Sequence, residues 1–400
     1  MKIIGNLFNR LRLVDKDRVG LISCFVVLFL LALYLRYKLI PAQTFDYVNY
    51  LKPWYEYLHI HGLQAFHNNF ANYNTPYLLL IWFMTHLSIG PLGAIKLISI
   101  FFDVVLALSV GLVVSYFRPK GYWRYAAFIA TLFLPTVFLN SSLWGQSDGI
   151  YASFTMLAFY FCLKNQAALA WILWGVAFGF KLQAIFFLPF LIFVSISRKW
   201  KWYVPLYAVL TFCILSALPV VEGRSLLSTL GVYVNQARYP TANQEMLSWF
   251  SPTIGQLFPA GGVLYSYFKE IMLVMAAGAS VVVVSLAFYL KKIPNKLLIL
   301  IFTTGLFIIP FLLPGIHERY MYLAEISALI CAFVIPRLAW IAITMQVVSI
   351  ITYNSYFTRA NQAPQVPYAI LSLIVLAMIY FLVKASWAEF DLNRIGKIKK

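Results

Sequence analysis

Residues 94–117 read AIKLISIFFDVVLALSVGLVVSYF, and the seven residues that follow, RPKGYWR, carry three positive charges. The apolar stretch is long enough for a helix that crosses the hydrocarbon core of a bilayer, which takes about 20 residues. A short connection rich in Lys and Arg is typical of the cytoplasmic side of a membrane. The two segments together predict a membrane-spanning helix whose cytoplasmic end lies at residues 118–124.

Similar apolar stretches recur along the whole chain, which is 62% hydrophobic and only 11% charged, with a mean hydropathy of +0.80. This composition is typical of an integral membrane protein. The connections are too short for a separate soluble domain, so residues 1–400 are predicted to form one membrane-embedded domain. The fold class is an all-α polytopic membrane protein with about twelve crossings, at residues 19–40, 94–117, 125–140, 149–163, 168–181, 184–198, 203–222, 265–290, 297–314, 322–336, 338–353 and 368–386.

The net charge of +18 comes from short basic clusters between the apolar segments and at both ends of the chain. Because short loops rich in Lys and Arg stay cytoplasmic, the clusters set the orientation of the bundle. They predict two cytoplasmic termini and two large external loops, at residues 41–93 and 223–264. The charge is thus an orientation signal and does not indicate a nucleic-acid partner.

The first external loop is predicted to carry interfacial helices. Its apolar segment 76–89 is short for a crossing, so we predict a re-entrant or interfacial helix there. Earlier in the loop, an aromatic and apolar face recurs at helical spacing, which suits a helix lying on the membrane surface. A helix that packs on the bundle is the alternative. The face consists of Tyr50, Leu51, Trp54, Tyr55, Tyr57 and Leu58.

Two aspartates mark a candidate site on the external side. The chain has only 13 acidic residues, and a carboxylate in a polytopic protein is costly unless it faces water or a partner. Asp46, in QTFDYVNY, follows the first span and is the candidate general base. Asp148 lies in the turn SSLWGQSDGIYAS, where Trp144 and Gln146 are further candidate site residues. Capping of the following helix is the alternative role of each aspartate.

Three further residues interrupt apolar segments. Asp103 lies inside a predicted span, so it should face the bundle interior and find a partner or take up a proton, in a structural or a chemical role. Lys181 and Gln183 lie near the predicted outer end of another span, where a cation could hold a phosphate. Snorkelling of Lys181 to the surface is the alternative.

The densest polar cluster lies in LLPGIHERYMYLAEI, between two spans on the predicted external side. There, His317, Glu318, Arg319 and Tyr320 are consecutive. An Arg beside a His offers a charged fork and a titratable donor, which suits recognition of a phosphate or diphosphate leaving group. The other histidines do not form a convincing metal set, and none is assigned to a metal.

The order of these elements resembles a known family over residues 40–325. The chain is similar to the GT-C superfamily of polyprenyl-phosphate-sugar-dependent glycosyltransferases, in particular to the bacterial branch related to GPI mannosyltransferase II. It is more distantly similar to the dolichyl-phosphate-glucose-dependent glucosyltransferases of the N-glycan pathway. The elements that carry the resemblance are an early Asp in a long first loop, YNTPYLLL at 73–80, an intramembrane Asp, WGQSDG at 144–149, KLQ at 181–183 with Pro189, and HERYMY at 317–322.

The resemblance implies a GT-C-like bundle in a bacterial inner membrane with its active site on the external face. Asp46 matches the early Asp that deprotonates the acceptor hydroxyl. His317 and Arg319 match the loop that contacts the lipid phosphate, and Lys181 is placed to help. Asp148 matches a region that binds a divalent metal in the oligosaccharyltransferase branch, but this chain lacks an Asp-x-Glu or Asp-x-Asp pair there. Mg²⁺ or Mn²⁺ has Asp148 as its one candidate ligand, and no cofactor is required.

The sequence hypothesis is therefore an inverting hexosyltransferase, with mannose implied by the resemblance alone. It would use a polyprenyl-phosphate sugar donor and a lipid-linked or cell-envelope glycan acceptor, among membrane lipids. One alternative is a flippase or transporter of a lipid-linked saccharide, which should show polar residues along both halves of a path. Another is an O-antigen ligase or polymerase with a diphosphate donor. The polar segment 223–264 is predicted to be an acceptor-binding loop or a lid.

Overall fold

The structure is a computed structural model that describes residues 2–238, 248–258, 264–290, 293–358 and 365–398. These residues are mostly helical. The α-helices are α1 (Lys2–Leu39), α2 (Lys52–His61), α3 (Thr75–Met84), α4 (Pro91–Phe117), α5 (Trp123–Phe133), α6 (Pro135–Phe138), α7 (Asp148–Leu163), α8 (Ala167–Phe180), α9 (Leu188–Ser197), α10 (Leu206–Leu215), α11 (Leu218–Val221), α12 (Leu226–Leu230), α13 (Val232–Arg238), α14 (Tyr265–Tyr289), α15 (Asn295–Leu312), α16 (Tyr322–Val334), α17 (Ala339–Phe357) and α18 (Gln365–Ile398).

Shorter elements connect these helices. Two π-helices lie at Tyr47–Leu51 and Leu139–Trp144, and 3₁₀ turns lie at Gly62–His67, Leu182–Phe187, Ile254–Leu257 and Pro336–Leu338. Two short strands, β1 (Ser248–Trp249) and β2 (Ile316–His317), pair in parallel. The strands matter for the site because they join residues 248–249, in the predicted second external loop, to the loop that contains His317.

In the described part of the chain, six helices are long and apolar enough to cross a membrane. They are α1 over Val19–Leu39, α4, α14, α15, the segment Pro336–Phe357 and α18 over Gln365–Ala388. A seventh crossing forms if α5 and Pro135–Trp144 count as one span, bent by 53°. The bend has a local cause, because a proline has no N–H to bond back to the preceding turn.

Apolar side chains on the outer helices face away from the protein. Only 17% of the spanning window of α14 is buried, against 83% for α15. Val274, Val281 and Phe288 of α14 are all more than 60% exposed. A contiguous apolar surface of this kind is typical of contact with lipid. The chain is therefore an all-α membrane protein, as its composition predicts.

Each of the twelve predicted spans coincides with a helix or a broken helical pair. Several of these helices are only 10 to 17 residues long, among them α7, α8, α10 and α16. A straight crossing of the hydrocarbon core takes about 20 residues, so these short helices are not assigned as crossings by length. The helical segments are confirmed, whereas the count of twelve crossings stays a prediction.

The bundle interior fixes the helix ends that carry the candidate site. Helix α7 packs between α4 and α8, and α8 packs on α10. Gly175 permits a close approach there, because a Cβ at this position would lie 2.8 Å from the backbone of Ala208. Phe159 of α7 stacks on Phe302 of α15, with ring centroids 3.8 Å apart. These contacts hold the start of α7 and the end of α8, where Asp148 and Lys181 lie.

Residues 41–93, the predicted first external loop, pack on the bundle. The aromatic face of its helix is largely inside the main hydrophobic core. The Tyr55 hydroxyl also donates to the Ile89 carbonyl, at 3.1 Å. Most of this face is covered by apolar side chains of the protein, as the alternative of packing on the bundle predicts, and a position of the helix at the membrane interface stays a prediction. The buried members of the face are Leu51, Trp54, Tyr55 and Leu58.

The apolar segment 76–89 contains α3, which is ten residues long. Tyr77, Leu78 and Ile81 are buried, and α3 contacts α2, α4 and α8. A helix of ten residues spans about 15 Å, half the thickness of the hydrocarbon core. The prediction of a short helix is confirmed, and its re-entrant or interfacial position stays a prediction.

Candidate active site

Asp46 follows α1 and begins the first π-helix. Its carboxylate accepts three side-chain hydrogen bonds. Gln146 Nε2 and Trp144 Nε1 donate to Oδ2, at 2.6 and 2.9 Å, and the Tyr356 hydroxyl donates to Oδ1, at 2.8 Å. The Asp46 side chain makes no capping bond to the helix that follows, so the capping alternative is wrong. The three donors instead fix the carboxylate in one orientation.

Two local features bring Asp46 and the 144–149 turn together. The Lys96 ammonium donates to three carbonyl groups at and after the end of α1, those of Leu39, Ile40 and Ala42. Carbonyl groups at a helix end have no partner within the helix, so Lys96 anchors the chain just before Asp46. Gly145 ends the second π-helix in the left-handed region, at φ +77°. Thr44 Oγ1 then donates to the Trp144 carbonyl, at 3.3 Å.

Trp144 connects the Asp46 carboxylate to a cation. Its side chain is fully buried, and its indole N–H donates to Asp46 while the Arg319 guanidinium lies 5.2 Å from the ring centroid. The Tyr356 ring stacks on the same indole, at 4.6 Å. A cation over an indole ring is attracted by the negative charge of the ring face. The rigid Trp144 side chain therefore sets the position of Asp46, the candidate base, relative to Arg319, the candidate phosphate-binding cation.

Asp148 is fully buried at the start of α7. The Lys181 ammonium donates to its Oδ1, at 2.6 Å, and the Asn140 amide donates to its Oδ2, at 2.9 Å. Arg319 Nε lies 3.7 Å from the same Oδ2. Ser147, and not Asp148, occupies the N-cap position of α7. The capping alternative is therefore wrong for Asp148, whose carboxylate is held in an ion pair.

Lys181 directly follows α8, where the backbone becomes extended. It is only 6% exposed, so the snorkelling alternative is wrong. Besides the bond to Asp148, its ammonium lies within 6.0 Å of the ring centroids of Tyr73, Tyr151 and Tyr320. These rings surround the cation with the negatively charged faces of aromatic groups, which offsets part of its desolvation.

The 317–320 segment lies over the same cluster. In the strand pair, Trp249 of β1 is the register partner of His317 in β2. The His317 ring packs on Tyr320, at 4.9 Å between centroids, and its Nδ1 lies 3.8 Å from Glu318 Oε2. Arg319 Nη1 donates to Glu318 Oε1, at 2.7 Å. The structure thus brings all four predicted residues of this segment to one place.

Glu318 and Arg319 each stabilise the charged form of the other. Burial alone would raise the pKa of Glu318, but the hydrogen bond with His317 and the charge of Arg319 outweigh burial and hold this pKa below its ordinary value. Burial would lower the pKa of Arg319, but the charges of Glu318 and Asp46 hold it well above its ordinary value. Both side chains are charged at neutral pH.

The two cations predicted to hold a phosphate are therefore already paired with carboxylates. Lys181 bonds to Asp148, and Arg319 bonds to Glu318. Within the described chain, Arg319 Nε is a buried donor with no hydrogen-bond partner. A buried donor left without an acceptor costs about 1–3 kcal/mol, so an anion that reaches Nε would satisfy it.

Two other predicted residues lie beside the cluster. Asp103 bonds to Arg36 Nε, at 2.8 Å, and to Ser141 Oγ, at 2.6 Å. The prediction that an intramembrane Asp103 finds a partner is confirmed, and its oxygen lies 3.3 Å from the place of a Cβ on Gly149. This contact supports the 144–149 turn from behind. Gln183 is buried in the 3₁₀ turn after Lys181, and its Oε1 has no hydrogen-bond partner among the described residues.

Sequence reasoning missed several residues of the cluster and a buried polar group close to it. Tyr356 and Asn140 bond directly to the two aspartates. Glu325 of α16 accepts a hydrogen bond from Ser349, at 2.6 Å, and a neighbouring bond joins Thr136 to Gln346. The rule that identified Asp103, a carboxylate in an apolar segment, also applies to Glu325. No comparable signal exists for Tyr356, because aromatic residues at span ends are common.

A divalent metal does not fit the donors around Asp148. One carboxylate oxygen bonds to an ammonium and the other to an amide N–H, and a guanidinium lies nearby. Mg²⁺ and Mn²⁺ prefer several oxygen ligands, whereas the nearest groups here are cations and N–H donors. In the described ranges no three His, Cys, Asp or Glu side chains form a group that could hold a metal ion. We therefore assign no reaction step to a metal.

Comparison with known proteins adds no family to these observations. No protein-family model matches the chain, and no curated protein matches it. The contacts among Asp46, Trp144 and Arg319, together with the buried pair of Asp148 and Lys181, are the observations from which a function is inferred.

Proposed function

We propose that the protein is an inverting membrane glycosyltransferase that moves a hexose from a polyprenyl-phosphate donor to a lipid-linked or cell-envelope glycan acceptor. The active site would lie on the external face of a bacterial inner membrane. The observation that carries the proposal is the Trp144 side chain, which contacts the Asp46 carboxylate through its N–H and the Arg319 guanidinium through its ring. A base and a cation are thereby fixed close together beside an apolar bundle.

Such an arrangement suits the displacement of a phosphate from a sugar. The acceptor hydroxyl attacks the anomeric carbon, the bond from that carbon to the phosphate oxygen breaks, and Asp46 takes the hydroxyl proton. The polyprenyl phosphate leaves with the bonding electrons, and Arg319 stabilises its charge. Attack from the side opposite the leaving group inverts the anomeric centre. Asp46 is partly exposed, which lets an acceptor reach it.

The donor phosphate would compete with Glu318 and Asp148 for the two cations. Arg319 Nε makes no hydrogen bond and lies 3.7 Å from Asp148 Oδ2, so it offers a first contact for which no hydrogen bond of Arg319 has to break. His317 is one-third exposed and lies beside Glu318, so it can supply a second donor to the phosphate. Lys181 is the more deeply buried cation, and its role under this proposal is to neutralise Asp148 near the leaving group.

Transfer by the purified full-length protein tests the proposal. A panel of polyprenyl-phosphate sugars is offered with a native glycolipid extract, to wild type, Asp46→Asn and the control Glu56→Gln. Glu56 lies in the same loop, is exposed and forms an ion pair with Lys52, at 3.7 Å. We expect product with wild type and with Glu56→Gln, and a loss of at least 100-fold with Asp46→Asn, the lower end of what a general base contributes.

The same assay separates the alternatives. Product from an Asp46→Asn enzyme at the wild-type rate would refute the role of Asp46. No product from any phosphate donor, together with product from a diphosphate donor, would identify a ligase or polymerase instead. No transfer from either donor, with movement of a labelled lipid-linked sugar across vesicles, would identify a flippase. An arm with EDTA measures whether a divalent cation contributes.

A further inference from the structure

A cavity at the other end of the bundle is not part of the site described above. It lies where α9, α14 and α15 meet, at the end of α9 that is farther from Lys181 and at the end of α15 that is farther from His317. Its volume is about 190 Å³. The residues that line it are Phe193, Val194, Ser197, Arg198, Leu290, Ile293 and Leu298.

The two polar residues of the cavity are largely uncommitted. Within the described part of the chain, Ser197 Oγ is buried and has no hydrogen-bond partner. The Arg198 guanidinium makes one long hydrogen bond, of 3.4 Å, to the Leu163 carbonyl. No carboxylate described by the structure pairs with Arg198 within 4.0 Å. A buried hydroxyl without a described hydrogen-bond partner and a guanidinium without a described carboxylate partner both favour an anionic oxygen.

The backbone groups around the cavity also favour an anion. The cavity reaches Ile293 and Leu298, which flank the first turn of α15. The N–H groups of a first helical turn have no acceptor within the helix, and that end of the helix is positive. The last carbonyl groups of α9 are bonded, because Trp200 N donates to Ser195 O and Lys199 N donates to Ile196 O. The anion would therefore meet donors, with few free acceptors.

We propose that this cavity binds the phosphate of an anionic glycerophospholipid. The phosphate contacts Arg198 and Ser197, and the acyl chains follow the apolar wall onto the surface of α14. Basic pockets between membrane helices are suited to anionic headgroups. Exposed Lys199 directly follows Arg198, and exposed Lys296 lies two residues before Leu298, so both add positive charge to this end of the bundle. The proposal does not depend on the glycosyltransferase function.

A lipid is favoured over free phosphate by the shape and position of the cavity. Five of its seven lining residues are apolar, and α14 beside it has a lipid-facing surface that is mostly exposed. A free phosphate would gain only the two polar contacts. The acyl chains of a phospholipid would also cover exposed apolar side chains of α14 next to the cavity, such as Phe288, which is 72% exposed, at about 25 cal/mol for each Å² of apolar surface removed from water.

Native mass spectrometry of the detergent-purified full-length protein tests the proposal. The protein is titrated separately with phosphatidylglycerol, phosphatidylcholine and inorganic phosphate. We expect phosphatidylglycerol to bind at least tenfold more tightly than phosphatidylcholine, and inorganic phosphate to bind weakly. Arg198→Gln should weaken phosphatidylglycerol binding about tenfold, as expected for the loss of a charged hydrogen bond, and weaken phosphatidylcholine binding less, because the choline cation offsets the charge of its phosphate.

Two further variants make the result decisive. Lys201→Gln removes a charge of the same sign from an exposed position outside the cavity, and it should change binding less than twofold. Leu298→Trp keeps the charge and fills the cavity, so it should abolish tight binding even if Arg198→Gln does not fold. Unchanged phosphatidylglycerol binding by Arg198→Gln and Leu298→Trp, an equal loss by Lys201→Gln, or equally tight binding of inorganic phosphate would overturn the proposal.

Discussion

The buried pair of Lys181 and Asp148 allows a structural role to be separated from a role in phosphate binding. The ammonium and the carboxylate are 2.6 Å apart, and both side chains are less than 10% exposed. Removing one member of such a pair leaves a buried charge without its partner, which costs about 3–5 kcal/mol. We therefore expect Lys181→Met and Asp148→Asn each to destabilise the protein.

The surroundings of the pair place the two losses within this range. After Lys181→Met, the Asp148 carboxylate keeps the Asn140 amide at 2.9 Å and the Arg319 guanidinium at 3.7 Å. After Asp148→Asn, the ammonium keeps three tyrosine rings, each within 6.0 Å. Because partial compensation remains in both variants, we expect each loss near the low end, at about 3 kcal/mol.

The double variant Asp148→Asn with Lys181→Met removes both charges. The amide oxygen that Asp148→Asn introduces can still accept the hydrogen bond from Asn140. Its loss should be smaller than the sum of the two single losses by about 2 kcal/mol or more, since coupled neighbours reach such values. Unfolding in mixed micelles with increasing dodecyl sulfate measures the free energies of the four proteins. Additivity within about 0.5 kcal/mol would refute the reasoning, because it is the behaviour of independent sites.

Transfer activity of the same four proteins shows whether Lys181 neutralises Asp148 or binds the donor phosphate. If Lys181 acts only by neutralising Asp148, the double variant should recover part of the donor affinity that Lys181→Met loses. If Lys181 binds the donor phosphate itself, the double variant should keep the raised KM for the donor. Melting temperatures of the same preparations show whether each protein is folded in the assay.

Three further results are expected. Tyr356→Phe keeps the ring stacked on Trp144 and loses only the bond to Asp46, so kcat should fall about tenfold with an unchanged melting temperature; an unchanged kcat would contradict a positioning role. Arg36→Met should lower the free energy of unfolding by about 3 kcal/mol, because it leaves the Asp103 carboxylate buried with Ser141 as its remaining partner; a loss near zero in dodecyl sulfate titrations would refute this. Glu318→Gln removes the carboxylate that is hydrogen-bonded to Arg319 and leaves Asp148, at 3.7 Å, as the remaining described ion-pair partner, so it should cost about 3 kcal/mol at pH 7. The folded pKa of Glu318 is lowered, so the stabilisation by its ionised form is full above about pH 4.5 and fades in more acidic solution. The difference in unfolding free energy between wild type and variant should therefore be smaller at pH 4 than at pH 7.

The helical segments could be predicted from the sequence because hydropathy reports directly on contact with lipid. Residues 94–117 form one continuous helix within α4, as their composition indicates. Residues 125–140 do not, because Pro135 breaks the segment into α5 and α6. Hydropathy averages over such a break, so it finds the segment and misses the bend. The aromatic face of α2 left two interpretations open for a related reason, since aromatic residues suit a membrane interface and a protein core equally well.

The candidate site could be predicted only as a set of separate groups. The cost of a carboxylate in an apolar chain identified Asp46, Asp148 and Asp103, and the structure places all three around the 139–149 segment. The pairing itself could not be predicted. Tyr356 lies 310 residues from Asp46 in sequence. Arg36, the partner of Asp103, lies inside the first predicted span, where no sequence pattern connects it to Asp103. Which helix faces which is decided by packing over the whole bundle, and no local pattern encodes it.

The paired state of the two cations bears on how a phosphate would be bound. Arg319 contacts Glu318 and Trp144, and its Nε has no hydrogen-bond partner in the described structure. A guanidinium held by a carboxylate on one edge and an indole on its face is already desolvated and oriented. A phosphate that reaches Nε, which lies 3.7 Å from Asp148 Oδ2, then gains a charged hydrogen bond without first ordering the side chain, which is the advantage of a preorganised site. Under this reasoning Glu318 and Trp144 are positioning residues for Arg319, and loss of either should raise the KM for the donor more than it lowers kcat.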